Sequence, residues 1–272
     1  MTDALDVRTP FGEPVEEIPL PHAPLIAVVA QIRFPPIASI AREEFVGPFQ
    51  ERIRQQFPVL RQEREVNVVL TPSGVSPGGD PAPIWRFLDR PKDPEWKVSL
   101  APSFVALDTS NYESRTDFLR RFRAVLIALT DTIAPSTSDR IGIRYVDRVQ
   151  LDEGNADLEE WIRPEVLGMV PIQPGGSASL SHSISDTEFQ LGDATLHGRW
   201  GLIPPSTQLD PLHGDAIDVP SWILDLDMYT SKMGEFNVAQ LMSATEEFAA
   251  RIYRFFRWAV RPGLLRRYGG SV

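Results

Sequence analysis

Three stretches of the chain alternate oil and ion with a period of two, and nothing else in the sequence restricts the fold as strongly. In RIGIRYVDR (140–148), Arg140, Gly142, Arg144, Val146 and Arg148 share one parity, and Ile141, Ile143, Tyr145 and Asp147 the other. In LHGRWGL (196–202), Leu196, Gly198, Trp200 and Leu202 oppose His197 and Arg199. In WILDLDMY (222–229), Trp222, Leu224, Leu226 and Met228 oppose Ile223, Asp225, Asp227 and Tyr229. Successive side chains of an extended chain point to opposite faces. Each stretch therefore reads as a strand with one face for a helix-covered core and one face that carries charge.

Around these strands the pattern switches repeatedly between periods. PLIAVVAQIRF (24–34) is a β-branched run stopped by Pro35 and Pro36. Phe45, Phe49, Ile53 and Phe57 then recur at helical spacing, with Pro48 assigned to the first turn. Strands are expected at EVNVVL, IWRFLD, WKVSL and SFVALDT, and TPSGVSPGGDPAP between the first two reads as a mobile Pro/Gly loop. Phe118, Phe122, Val125, Leu126, Leu129 and Ile133 mark one face of a long helix. DLEEWIRPEVLG reads as a short helix limited by Pro164, and LSHSISDTEFQL and ATLHGRWGLI as a hairpin turning at Gly192-Asp193, with His182 and His197 on its facing strands. Asn237 is the expected N-cap of a final long helix that Pro262 ends.

The expected class is α+β, with a largely antiparallel sheet packed against two long helices. The expected organisation is an extended N-terminal arm (1–20), a first α+β half (21–138) and a second (139–272), closely packed as one composite domain. The halves read alike: QIRF (31–34) aligns with GIRY (142–145), placing Arg33 against Arg144, and the Trp-led WKVSL and WILDL each precede a long helix. This implies a tandem duplication of a β-α-β-β-β-α unit.

Composition narrows the chemistry. With 27 basic and 37 acidic residues the chain carries a formal charge of −10, which disfavours direct nucleic-acid binding, since that depends on neutralising phosphates. The absence of cysteine removes disulfides, thiol nucleophiles and Cys-ligated zinc. No leader pattern opens the sequence, and its longest apolar run, LIAVVAQI, is far below the roughly 20 residues that span a bilayer. A cytoplasmic protein with no membrane partner is expected.

The charged strand faces supply the candidate site. Neighbouring strands lie about 4.8 Å apart, so Arg140, Arg144 and Arg199 can form a ladder with Asp225 and Asp227. Alternatively, Arg140, Arg144, Arg199 and His197 bind a small anionic ligand, the planar guanidinium fork suiting carboxylate or phosphate. Asp225 and Asp227, two apart on a strand, are the candidate ligands of a divalent cation such as Mg²⁺. The acids and His213 of DPLHGDAID read as turn residues in a solvated loop. No nucleophile elbow, Walker loop or dinucleotide fingerprint occurs. On the last helix Arg254, Arg257, Trp258 and Arg261 fall opposite a stripe of Leu241, Phe248, Ile252, Phe255, Phe256 and Ala259, the composition of an interface anchor.

PLIAVVAQIRFPP, FQERIRQQFP, the spaced W, V, L, F and Y of 96–118, and RIGIRYVDR together resemble a sporadically distributed family of uncharacterised bacterial proteins of about 260 residues, over nearly the whole chain. That resemblance brings no activity and no catalytic residue. Patchy distribution is associated with defence and toxin–antitoxin genes. The expected function is a non-enzymatic binding or accessory protein that engages a protein partner, without a cofactor. The alternative is a hydrolase or phosphotransferase acting on a small anion with a divalent cation, using His197 as acid or base.

Overall fold

The computed structural model describes residues 7–64, 68–71, 74–77, 83–151, 158–207 and 217–271. All three alternating stretches are strands. In chain order the elements are β1 (Leu25–Arg33), α1 (Glu43–Ile53), β2 (Val59–Arg64), β3 (Val68–Thr71), β4 (Gly74–Pro77), β5 (Pro83–Leu88), β6 (Trp96–Ala101), β7 (Phe104–Thr109), α2 (Arg115–Thr132) and β8 (Thr137–Ser138). There follow β9 (Arg140–Gln150), α3 (Leu158–Trp161), β10 (Ser183–Leu191), β11 (Ala194–Ile203), β12 (Ser221–Thr230), β13 (Gly234–Glu235), α4 (Val238–Ala259) and α5 (Pro262–Arg267). The chain is α+β, with a large nine-stranded sheet whose β10–β11, β11–β12, β2–β5, β5–β6 and β6–β7 ladders are antiparallel.

Two compact units divide the chain: a composite one of Met1–Val28, Ile143–Tyr229 and Glu246–Val272, and a central one of Val29–Gly142 and Thr230–Thr245. The unit boundaries fall inside β1, β9, β12 and α4 rather than in linkers.

In the central unit the strand order is β1-β7-β6-β5-β2. Helix α2 starts where Ser114 Oγ accepts the Asp117 amide at 3.1 Å, and its expected apolar face is buried throughout. Phe49 of α1 meets Phe87 of β5 edge to face at 5.3 Å, and Phe118 of α2 packs on Trp96 at 5.9 Å. Pro48 sits inside α1 rather than in its first turn; the carbonyl it leaves unpaired belongs to Glu44, which is exposed to water. β2 was not expected from the sequence. Its VLRQER is polar because the strand lies at the edge of the sheet, with four of its six residues exposed. The Pro/Gly segment holds a strand at Gly74–Pro77 paired with β3, while its remaining loop residues, 72–73 and 78–82, lie outside the described residues, as do 65–67 of EVNVVL.

In the composite unit the order is β10-β11-β12-β9. Trp200 of β11 lies 5.7 Å from Phe255 of α4, and Leu196, Leu202, Leu224, Leu226 and Met228 are buried with it. Two glycines make this possible. A Cβ on Gly198 would stand 2.7 Å from the Trp200 ring, and one on Gly201 would stand 2.0 Å from the Ser183 carbonyl, at a φ of +141° that only glycine adopts easily. Asn237 caps α4 through a 3.1 Å bond from the Gln240 amide. Pro262 does not simply stop the helix but opens α5 as its first residue.

Candidate functional site

The polar face of β9, β11 and β12 is built by register. Arg199 stands opposite Asp225 and His197 opposite Asp227, so alternation brings all four to one side. Arg144 reaches Asp225 from β9. Its Nε donates to Oδ1 at 2.7 Å and its Nη2 to Oδ2 at 2.9 Å, a planar two-bond pair. Arg199 donates to Oδ2 from Nη2 at 2.6 Å and from Nε at 3.3 Å. The Asp225 side chain is only 6% exposed, against 26% for Arg144 and 39% for Arg199.

Burial alone would push the Asp225 carboxyl up. The hydrogen bonds and charges of Arg144 and Arg199 overcome it and hold the group below the ordinary aspartate value. Asp147 is the opposite case: burial, with the Asp225 charge adding to it, pushes its carboxyl up to about 7. Nothing in the alternation pattern marked Asp147, because an acid on the core parity of one strand is indistinguishable from an acid at a strand end.

Other sequence-predicted groups separate. Arg140 approaches Gln31, with Nη1 3.4 Å from Oε1, rather than Asp225. His197 Nε2 lies 2.8 Å from Asp186 Oδ1 on β10, an exposed carboxylate. His182 precedes β10 and is exposed, so it does not face His197, whose opposite residue is Glu188. Asp210, His213 and Asp215 lie outside the described residues. Asp218 accepts from Ser206 Oγ at 2.8 Å, consistent with a turn role.

A divalent cation fits this face poorly. Both Asp225 oxygens are held by guanidiniums, and a metal would have to displace two cations to reach them. Among the described residues, no three His, Asp or Glu side chains cluster as a metal site would require. In the central unit, a cleft of about 370 Å³ runs between Phe34–Ile37 and Ile133–Thr137. Its lining contains no acid or base, so it offers shape without chemistry.

The arginines of α4 do not form the open surface expected of them. Arg254 is 9% and Arg257 4% exposed, with Trp258 half-buried and Arg261 the one of the four that is exposed. Residues 7–22 lie over them as a strap. Arg257 Nη1 donates to the Glu16 carbonyl at 3.1 Å, and the Tyr253 hydroxyl accepts from the Ile18 amide at 2.7 Å. Phe11 closes a cluster with Phe189 at 5.2 Å and Phe255 at 5.8 Å. Residues 7–20 of the expected extended arm pack within the composite unit. Their partners lie some 240 residues away in sequence, which no local pattern reveals.

No protein-family model and no curated protein matches this chain. No helix among the described residues is long and apolar enough to cross a membrane.

Proposed function

We propose that the protein is a non-enzymatic binding protein whose recognition surface is the polar face of β10, β11 and β12, and whose partner is a basic protein. The observation that carries this reading is the closure of Arg144, Asp225 and Arg199 on one another. The groups best suited to chemistry are spent on fixing the face. What the face turns outward at β10 is acidic: Asp186 and Glu188 are exposed. The chain's formal charge of −10 favours the same class of partner by steering. A role as accessory or neutralising component of a bacterial defence or toxin–antitoxin system fits such a surface.

The test is co-purification of the full chain from its native host, beside an Asp186→Lys/Glu188→Lys variant. A basic protein in fixed ratio with the native chain, lost from a variant of unchanged thermal stability, supports the proposal. A native chain that purifies alone, or a partner that the variant retains, refutes it. The enzymatic alternative would require Asp225 to leave its arginines and bind a cation. Calorimetry with Mg²⁺ and Mn²⁺ tests it, and absence of binding removes it.

We further infer that the two sequential halves, 21–138 and 139–272, descend from a tandem duplication. The strand orders β9-β12-β11-β10 and β1-β7-β6-β5 follow from the same chain path, in which the strand before the long helix inserts beside the first strand. The cross-strand pair Lys97–Asp108 on β6 and β7, at 3.0 Å, then corresponds to Arg199–Asp225 on β11 and β12. This equivalence sets WILDL against FVALD rather than against WKVSL. Relatives that keep one pair while varying the other freely would argue against common descent.

A further inference from the structure

We propose that Arg254 and Arg257, beneath the N-terminal strap, form a binding site for a small tetrahedral oxyanion of the phosphate class. The two residues stand three apart on α4, which brings their side chains to the same side of the helix. Both residues are more than nine-tenths buried. Among the described residues neither forms an ion pair with a carboxylate. Among the described residues Arg257 bonds the neutral Glu16 carbonyl, and the buried Nε atoms of Arg257 and Arg254 have no hydrogen-bond partner. The strap acids Glu13, Glu16 and Glu17 are exposed.

A buried cation without a counter-charge is costly, and arginines so placed are normally paired. The C-terminal end of α4 offsets part of this through its dipole, but a helix end does not supply hydrogen-bond acceptors to a side-chain Nε. An oxyanion does both. The strap is shaped for close approach here: a Cβ at Gly12 would lie 2.6 Å from Arg254 Nη2 and 2.6 Å from Thr9 Oγ1. Glycine therefore lets the strap backbone close on the guanidinium, with the Thr9 hydroxyl beside it. Thr9 and Gly12 are exposed, so solvent lies next to the strap where it covers Arg254. Two guanidinium forks and a hydroxyl offer more donors than the two oxygens of a carboxylate can accept in one plane, which favours a tetrahedral oxyanion.

The experiment is a thermal-melt series of the full chain in inorganic phosphate, with acetate and chloride at matched ionic strength. Phosphate is expected to raise Tm by about 4 °C over chloride once well above its Kd, with acetate indistinguishable from chloride. Arg254→Met and Arg257→Met remove the response, while Arg254→Met in chloride melts no lower than the native chain, because an unpaired buried charge has gone. Arg261→Gln, on an exposed neighbour, keeps the response. A native chain that phosphate does not stabilise beyond chloride, an equal effect of acetate, or an undiminished response in Arg254→Met would each overturn the site. These readouts do not involve the β10–β12 face, so they stand or fall separately from the partner proposal.

Discussion

Arg144 and Asp225, 81 residues apart in sequence, meet through two parallel hydrogen bonds of 2.7 and 2.9 Å. Arg199 adds a third strand to the same carboxylate. Asp225→Asn keeps the shape but removes the charge both guanidiniums need. A loss of about 3 kcal/mol is expected, read as a lower urea midpoint with an unchanged m-value. Arg199→Ala is expected to cost below about 1 kcal/mol, because this side chain is 39% exposed and Arg144 remains in place.

Asp147 and Asp225 give the chain opposite pH dependences. The folded Asp147 carboxyl titrates near 7, above its unfolded value of about 3.9, so the folded state holds that proton more tightly. Its contribution is whole below about pH 4 and is lost as pH rises through 7. Asp147→Asn is therefore expected to gain on the native chain across that window, by an amount on the order of 4 kcal/mol at pH 8. Asp225 lies below its unfolded value, so its contribution is present above about pH 4 and is lost in acid, as pH falls through its lowered folded value. Urea midpoints of the native chain and both Asn variants between pH 3 and 8 check the two slopes. A native–variant difference at Asp147 that does not change with pH contradicts the assignment.

The alternation at 140–148, 196–202 and 222–229 was enough to place three strands and to put Arg144, Arg199 and Asp225 on one face, because period-two burial is a local property. The fates of Arg254 and Arg257 were not legible. On the helix they fall opposite the phenylalanine stripe, which reads as solvent, and only the long-range return of residues 7–22 buries them. The polar β2 escaped notice for a related reason: an edge strand needs no apolar face pattern of its own.

If the strap is an integral part of the fold, Phe11→Ala should loosen it. About 2 kcal/mol is expected from a half-buried ring in contact with Phe189 and Phe255. Amide exchange should accelerate at Ile18, whose N–H bonds to Tyr253, while the α2 amides keep their protection. Unchanged exchange at Ile18 would mean that the strap is held without its aromatic anchor.

Ser114→Ala removes the side-chain oxygen that accepts the Asp117 amide at the start of α2. A loss of about 1 kcal/mol is expected, and Ser114→Asp should recover most of it, since an acid suits a helix N-terminus. Thermal melts of the two variants decide this.

The recognition face depends on its ions being joined to one another before any partner arrives. A double-mutant cycle of Arg144→Met and Asp225→Asn, followed by urea denaturation at pH 7, measures that directly. A coupling of about 2 kcal/mol is expected, with the double variant more stable than Asp225→Asn alone because the part-buried Arg144 guanidinium is no longer left without its carboxylate. Additive losses, with coupling near zero, would contradict a pre-joined face.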